Sequence, residues 1–238
     1  MKTLQIIFIT IAALAGCTKS PAGVMQTSNM TDTTKESSYT YLALGDSYTV
    51  GEAVPQAQSF PYQLTAALTL ANDPTNNPTI IATTGWTSQN LIDAIAASSI
   101  HEKTYDFVTL LIGVNDQYQG ISQSTYSTNF TTLLNEAISF AKGDTSRVFV
   151  ISIPDYGVTP FGDGRDSVIG PEIDQFNAIN LAISTKANVH YLNITPISRE
   201  AATNPALIAP DGLHPSAAMY ELWIAQLAPM VEARLKQN

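Results

Sequence analysis

The sequence predicts an α/β fold, a three-layer α/β/α sandwich around a five-stranded parallel sheet. From Tyr41 onward, short apolar runs alternate with longer segments whose apolar residues recur at helical spacing. That is the pattern of a parallel sheet with helices on both faces. The runs are apolar at successive rather than alternate residues, as strands covered on both faces require. At 238 residues, with 45% hydrophobic and 13% charged side chains, the chain suits one ordinary globular domain.

The first strand is 41–44, Tyr-Leu-Ala-Leu, and it runs into Gly45-Asp46-Ser47. Gly45 permits a sharp exit, and Asp46 can accept from nearby backbone N–H groups. Ser47 is thereby held just outside the carboxyl edge of the sheet, where open α/β folds bind ligands. Ser59 is expected to cap a helix with Pro61 in its first turn, stopped by Asn72-Asp73-Pro74. The second strand, 79–82, leaves toward Gly85, and Thr87 opens a helix carrying Leu91, Ile92, Ile95 and Ala96 on one face. The third strand, 107–112, is apolar apart from Thr109 and is expected to be central. Phe130, Leu133, Leu134, Ala137, Ile138 and Ala141 form the apolar stripe of the next helix. A fourth strand at 148–153, a helix starting at Pro171 and a short fifth strand at 189–192 follow. The last helix carries Met219, Leu222, Trp223, Leu227, Met230 and Val231, with a kink expected at Pro229.

Ahead of this domain, Met1-Lys2 and the apolar run 4–15 read as the basic start and hydrophobic region of a secretory signal, too short to span a bilayer. The run closes on Leu14-Ala15-Gly16-Cys17, which resembles the lipobox of bacterial lipoproteins. The resemblance implies a signal peptide at 1–16, a lipid on Cys17 and a membrane-anchored protein of the cell envelope. Thr18 stands where an Asp would resemble an inner-membrane retention signal, which points to the outer membrane. The alternative for this sole cysteine is a buried free thiol behind an ordinary signal peptide. Residues 17–38 are rich in Ser and Thr without apolar periodicity and are expected to form a flexible tether. The folded domain is then 39–238.

Several function classes are set aside by composition. The net charge is −9 with no basic block, so phosphate backbones repel the chain and nucleic acid is not an expected partner. The three histidines, His101, His190 and His214, are scattered, and no metal or cofactor site is expected. The acidic residues after the fourth strand do not match a calcium loop.

Ser47 has partners on other strand exits. Gly85 follows the second strand, Gly113-Val114-Asn115-Asp116 follows the third, and Asp211-Gly212-Leu213-His214-Pro215 precedes the last helix. In this order and these places, the four stretches resemble the blocks of the SGNH/GDSL hydrolase family, over nearly the whole chain from about Tyr41. Tyr48 stands where the first block usually has leucine. No Gly-x-Ser-x-Gly occurs, which argues against the elbow of the α/β-hydrolases.

A serine hydroxyl becomes nucleophilic when a base takes its proton, and His214 is the candidate. Asp211, on the same loop, can reach the other imidazole nitrogen and hold its tautomer. The resemblance implies an oxyanion hole made by the N–H groups of Ser47 and Gly85 and the side-chain amide of Asn115. It also implies a flavodoxin-like strand order and a serine esterase that cleaves carboxylic esters through an acyl-enzyme on Ser47 without a cofactor. Alternatives are a lysophospholipase- or thioesterase-like lipolytic hydrolase, a carbohydrate O-acetylesterase, or a binding lipoprotein without catalysis. Tyr48, Tyr118, Tyr156 and Phe161 mix with Gln117, Gln119 and Asn115 near the site, and no loop there is long and apolar. Short acyl groups on a small-molecule or oligosaccharide ester are therefore expected. The stretch 155–170 is expected to be a rim or lid, and Asp46 and Asp116 structural supports.

Overall fold

The computed structural model describes residues 38–237. The expected signal peptide at 1–16, Cys17 and all but the last residue of the expected tether lie outside the described residues.

Five parallel strands make one sheet in the order β2-β1-β3-β4-β5: β1 (Tyr41–Gly45), β2 (Thr79–Ala82), β3 (Phe107–Leu111), β4 (Val148–Ile151) and β5 (His190–Leu192). The order is flavodoxin-like, as expected. Every residue of β1, β3 and β4 is buried, whereas β2 and β5, at the edges, are mostly half-buried. Thr109, the one polar residue in β3, is matched internally, its hydroxyl 2.7 Å from that of Tyr41. Tyr41 also stacks on Phe107, ring centroids 4.4 Å apart.

The connecting helices are α1 (Ser47–Val50), α2 (Phe60–Leu70), α3 (Ser88–Ala97), α4 (Val114–Tyr118), α5 (Gln123–Phe140), α6 (Asp166–Ala187), α7 (Thr195–Arg199) and α8 (Ala217–Leu235). On one side of the sheet α2 packs against α8, with Phe60 against Tyr220 and Trp223. On the other side α3, α5 and α6 pack in a row. Right-handed crossovers place them this way, since β1 to β2 steps one way along the sheet and every later step goes the other.

The reversal occurs between β1 and β3, which pair directly from Tyr41 with Phe107 to Gly45 with Leu111. Neighbouring connections leave to opposite faces there, opening a crevice beyond the strand ends. A β-carbon substituent on Gly45 would lie 2.1 Å from Thr49 Oγ1 and 2.4 Å from the Leu111 carbonyl oxygen. Glycine is thus required by the closeness of the turn to the neighbouring strand.

Two local expectations are corrected. Ser59 occupies the cap position of α2, but its hydroxyl donates back to the Gln56 carbonyl instead of accepting from the helix. Pro171 does not start its helix: α6 begins at Asp166 and carries the proline inside. Pro171 has no N–H to donate, but the first turn closes ahead of it, with the Val168 and Ile169 N–H groups donating to the Arg165 carbonyl at 2.9 Å. Beyond β1, Ser47 opens the single turn α1.

Candidate active site

Ser47 is the first residue of α1, and Asp46 is its cap, with Oδ1 accepting from the Tyr48 N–H at 3.0 Å. The N–H of a first helical residue has no partner within its own helix, so that of Ser47 is free to face a ligand. Gly85 lies in a left-handed turn (φ +84°), and a β-carbon there would meet nothing within 4 Å. The constraint is conformational, and its N–H has no partner among the described residues. Asn115, on α4 beyond β3, donates through Nδ2 to the Trp86 carbonyl at 3.0 Å. An amide nitrogen has two hydrogens, so one holds the Gly85 loop and the other remains for a ligand.

Asp211 and His214 share a loop closed by an antiparallel bridge between Ile208 and Pro215 and by the Ala209 N–H donating to the His214 carbonyl at 2.8 Å. Asp211 Oδ1 accepts from the backbone N–H groups of Leu213 and His214, both at 3.0 Å. Its Oδ2 lies 2.6 Å from His214 Nδ1. Burial opposes ionisation of Asp211, but the imidazole and these two N–H groups outweigh it and hold the carboxyl below the usual range. An ionised carboxylate only accepts, so Nδ1 carries the proton and Nε2 is left as a base. Ser47 and His214, both buried, line one cavity. Among the described residues no hydrogen bond joins the Ser47 hydroxyl to the imidazole; such contacts commonly tighten only when substrate binds.

The structure thus brings Ser47, Gly85, Asn115 and His214 onto the wall of one cavity, with Asp211 behind the imidazole. The model of the GDSL-like lipase/acylhydrolase family matches residues 43–222. The chain belongs to this family. It is an ester-hydrolysing serine hydrolase. No curated protein matches it. Its fold is similar to those of the lipase/acylhydrolase from Enterococcus faecalis (21% identity, TM-score 0.62, 84% of this chain and 98% of that one) and the psychrotrophic esterase EstA from Pseudoalteromonas sp. (18%, 0.64, 84% and 100%). It is also similar in fold to Axe2, an acetylxylan esterase from Geobacillus stearothermophilus (18%, 0.60, 84% and 95%).

The cavity of this acylhydrolase has a volume of about 130 Å³. Its remaining walls are Tyr48, Thr84, Val114, Tyr118, Tyr156, Phe161 and Leu213, so it is largely apolar. Tyr118, Tyr156 and Phe161 pack together at the mouth, centroids 5.8–6.1 Å apart, with Tyr118 55% and Phe161 43% exposed. Gln117 and Gln119 do not line it. Gln119 donates to the Gly85 carbonyl (3.2 Å), while Gln117 accepts from the Tyr156 hydroxyl (2.9 Å) and donates to Glu172 (2.6 Å). Gln117, on α4, and Gln119, just past its end, thus brace the walls.

The stretch 155–170 is a rim of short turns leading into α6, and it is pinned at three points. Asp155, buried, pairs with Arg199 Nε at 2.9 Å, and Arg199 also reaches the Gly170 carbonyl and Asp174. At the other end the Phe161 N–H donates to the Gly212 carbonyl at 3.0 Å, tying rim to catalytic loop. The sequence carried no signal for Arg199, since its partner lies 44 residues away. Thr84, Val114 and Leu213 were missed for the same reason: each is an ordinary loop residue until the strand exits converge.

Asp46 and Asp116 lie buried beneath the site. Burial pushes the Asp46 carboxyl up to about 8, against the Tyr48 N–H and with help from the Asp116 charge. Burial also raises Asp116, although the Ser88 hydroxyl and N–H both donate to it. Ser88 opens α3, so Asp116 joins the Gly85 and Asn115 loops from behind.

Proposed function

We propose that this protein hydrolyses esters of short carboxylic acids through an acyl-enzyme on Ser47, anchored to a membrane by a lipid on Cys17. The observation that carries the catalytic part is the fixed Asp211–His214 pair facing the same small cavity as Ser47. In this reading His214 Nε2 takes the Ser47 proton as Oγ attacks the ester carbonyl. The Ser47 and Gly85 N–H groups and Asn115 Nδ2 receive the developing oxyanion, each worth about 3 kcal/mol when preorganised. The imidazolium then gives its proton to the departing alcohol, and water, activated by the same base, releases the acid.

The short-acyl preference is supported by size. A cavity of about 130 Å³ is well below the roughly 300–1,000 Å³ usual for drug-sized ligands. An acetyl ester is what the name of the similarly folded Axe2 denotes. Each methylene left in water forgoes about 0.8 kcal/mol, so kcat/KM should stop rising once the chain outgrows the cavity. Measured over 4-nitrophenyl esters from acetate to palmitate, the maximum is expected at or below hexanoate. A maximum at decanoate or beyond would reject the preference and favour a lysophospholipase-like enzyme. Ser47→Ala should lower kcat by about 10⁶-fold, and a fluorophosphonate should label Ser47 alone.

The anchor is supported by the Leu14-Ala15-Gly16-Cys17 stretch. A diacylated cysteine supplies the two chains that stable membrane attachment needs. Metabolic labelling with a fatty-acid probe should mark the wild type and not Cys17→Ser, and only the former should fractionate with outer membranes.

A further inference from the structure

A second, much smaller void of about 10 Å³ lies behind the first cavity. Four side chains belong to the walls of both: Tyr48, Tyr156, Leu213 and His214. His214 and Leu213 are held by the catalytic loop, and Tyr156 by its bond to Gln117. Tyr48 differs from these. Its ring is buried, meets the His214 ring edge-on at 5.6 Å, and its hydroxyl makes no hydrogen bond within the described residues. The backbone beneath it is fixed independently, by the Asp46 cap and by the Tyr220 hydroxyl donating to the Tyr48 carbonyl at 3.0 Å. The ring can therefore be cut back without unmaking the turn that carries Ser47.

Beyond the shared Tyr48, Tyr156 and His214, three polar side chains line the void, Asp155, Ser198 and Thr159, and each is already partnered. Asp155 is bound to Arg199 and the Gly157 N–H, the Ser198 hydroxyl to the Thr195 carbonyl and the Asp155 N–H, and the Thr159 hydroxyl to the Tyr156 carbonyl. What faces inward is the apolar surface of Pro154, Ile208, Pro215 and Met219. Such a space, once opened, accepts an alkyl chain without stranding a polar atom.

We propose that Tyr48 is the partition that limits the alkyl chain this site admits, with a small, largely apolar extension behind it. The inference rests on the Ser47 reading above and names its specificity residue. The ester has an acyl side and an alcohol side, and the arms of the test separate the two.

Full-length wild type, Tyr48→Ala and Tyr48→Leu are compared on 4-nitrophenyl esters from acetate to dodecanoate and on acetates of alcohols from ethanol to decanol. Fluorophosphonate labelling of Ser47 is measured first. No label on wild type defeats the Ser47 reading, and this inference with it. With wild type labelled, the partition is tested separately. Burying one methylene is worth about fourfold in kcat/KM, so opening the extension to two should raise the long-to-short ratio by about tenfold or more. The rise is expected in the acyl series or the alcohol series, whichever chain lies against Tyr48. Tyr48→Leu retains an apolar side chain and serves if Tyr48→Ala does not fold. A rise below about fivefold in both series, little more than one methylene, overturns the proposal. So does a folded variant that no longer labels, because Tyr48 would then support His214 rather than bound the cavity.

Discussion

In the proposed mechanism Asn115 divides one amide between two tasks. One hydrogen of Nδ2 is held by the Trp86 carbonyl at 3.0 Å, which fixes the plane of the group, and the other remains for a ligand in the cavity that Asn115 lines with Ser47. A donor fixed before the reaction costs no reorganisation when charge develops. Its removal should therefore appear in the transition state and not in ground-state binding. Asn115→Ala is expected to lower kcat by about 10²–10³ with KM nearly unchanged, measured on a short-chain 4-nitrophenyl ester. A KM rise with kcat retained would assign Asn115 to substrate binding instead.

At the level of the element, α7 holds the rim from outside, and the Phe161–Gly212 bond ties the rim to the catalytic loop. Arg199, at the end of α7, neutralises the buried Asp155, and Asp155 in turn caps the turn that carries Tyr156. From there the chain reaches Phe161 and the bond to Gly212. Arg199→Met leaves Asp155 as a buried charge without its cation, a loss of roughly 3–5 kcal/mol for a fully buried pair. The guanidinium is partly exposed to solvent, so the lower end applies, about 3 kcal/mol. Urea denaturation should show this loss, and KM should rise as Tyr156 and Phe161 loosen at the cavity mouth. Adding Asp155→Asn should recover most of the stability, because the unpaired charge is then gone. If Arg199→Met alone leaves the unfolding midpoint unchanged, the clamp contributes nothing.

For the whole molecule, the two buried carboxyls beneath the site give stability an unusual dependence on pH. Asp46 is raised to about 8 from an ordinary value of 3.8, so the folded state keeps a proton that the unfolded chain has already released. Between those values the folded state binds more protons, and stability falls as pH rises. Asp116 acts with the same sign. Asp211 and Asp106 act oppositely: both are lowered, so their contribution is present above about pH 4 and is lost on acidification. His190, lowered by burial, opposes this trend below its ordinary value of 6.5, so the unfolding midpoint should decline from about pH 6.5 to pH 8.5. Asp46→Asn keeps an acceptor for the Tyr48 N–H and removes the titration, so its profile over that interval should be flatter. A wild-type profile that rises toward pH 8.5 would refute the assignment.

The five strands, their parallel arrangement and the four stretches bearing Ser47, Gly85, Asn115 and the Asp211–His214 pair were legible in the sequence. Each is a local property, carried by apolar runs, turn residues and a spacing of three between carboxylate and imidazole. Helix boundaries were less so. The start at Asp166 could not be seen past Pro171, because a proline announces a boundary without saying on which side of it the first turn forms. Sequence places Gln117 and Gln119 near the site but does not say which way their side chains turn, and both turn to brace its walls. Arg199, the Phe161–Gly212 bond and the void behind Tyr48 had no local signature at all. They exist only where segments distant along the chain meet, and the size of the cavity is likewise a result of packing. Sequence determined which chemistry the strand exits can perform; the tertiary structure decided how rigidly those exits are held and how much room they enclose.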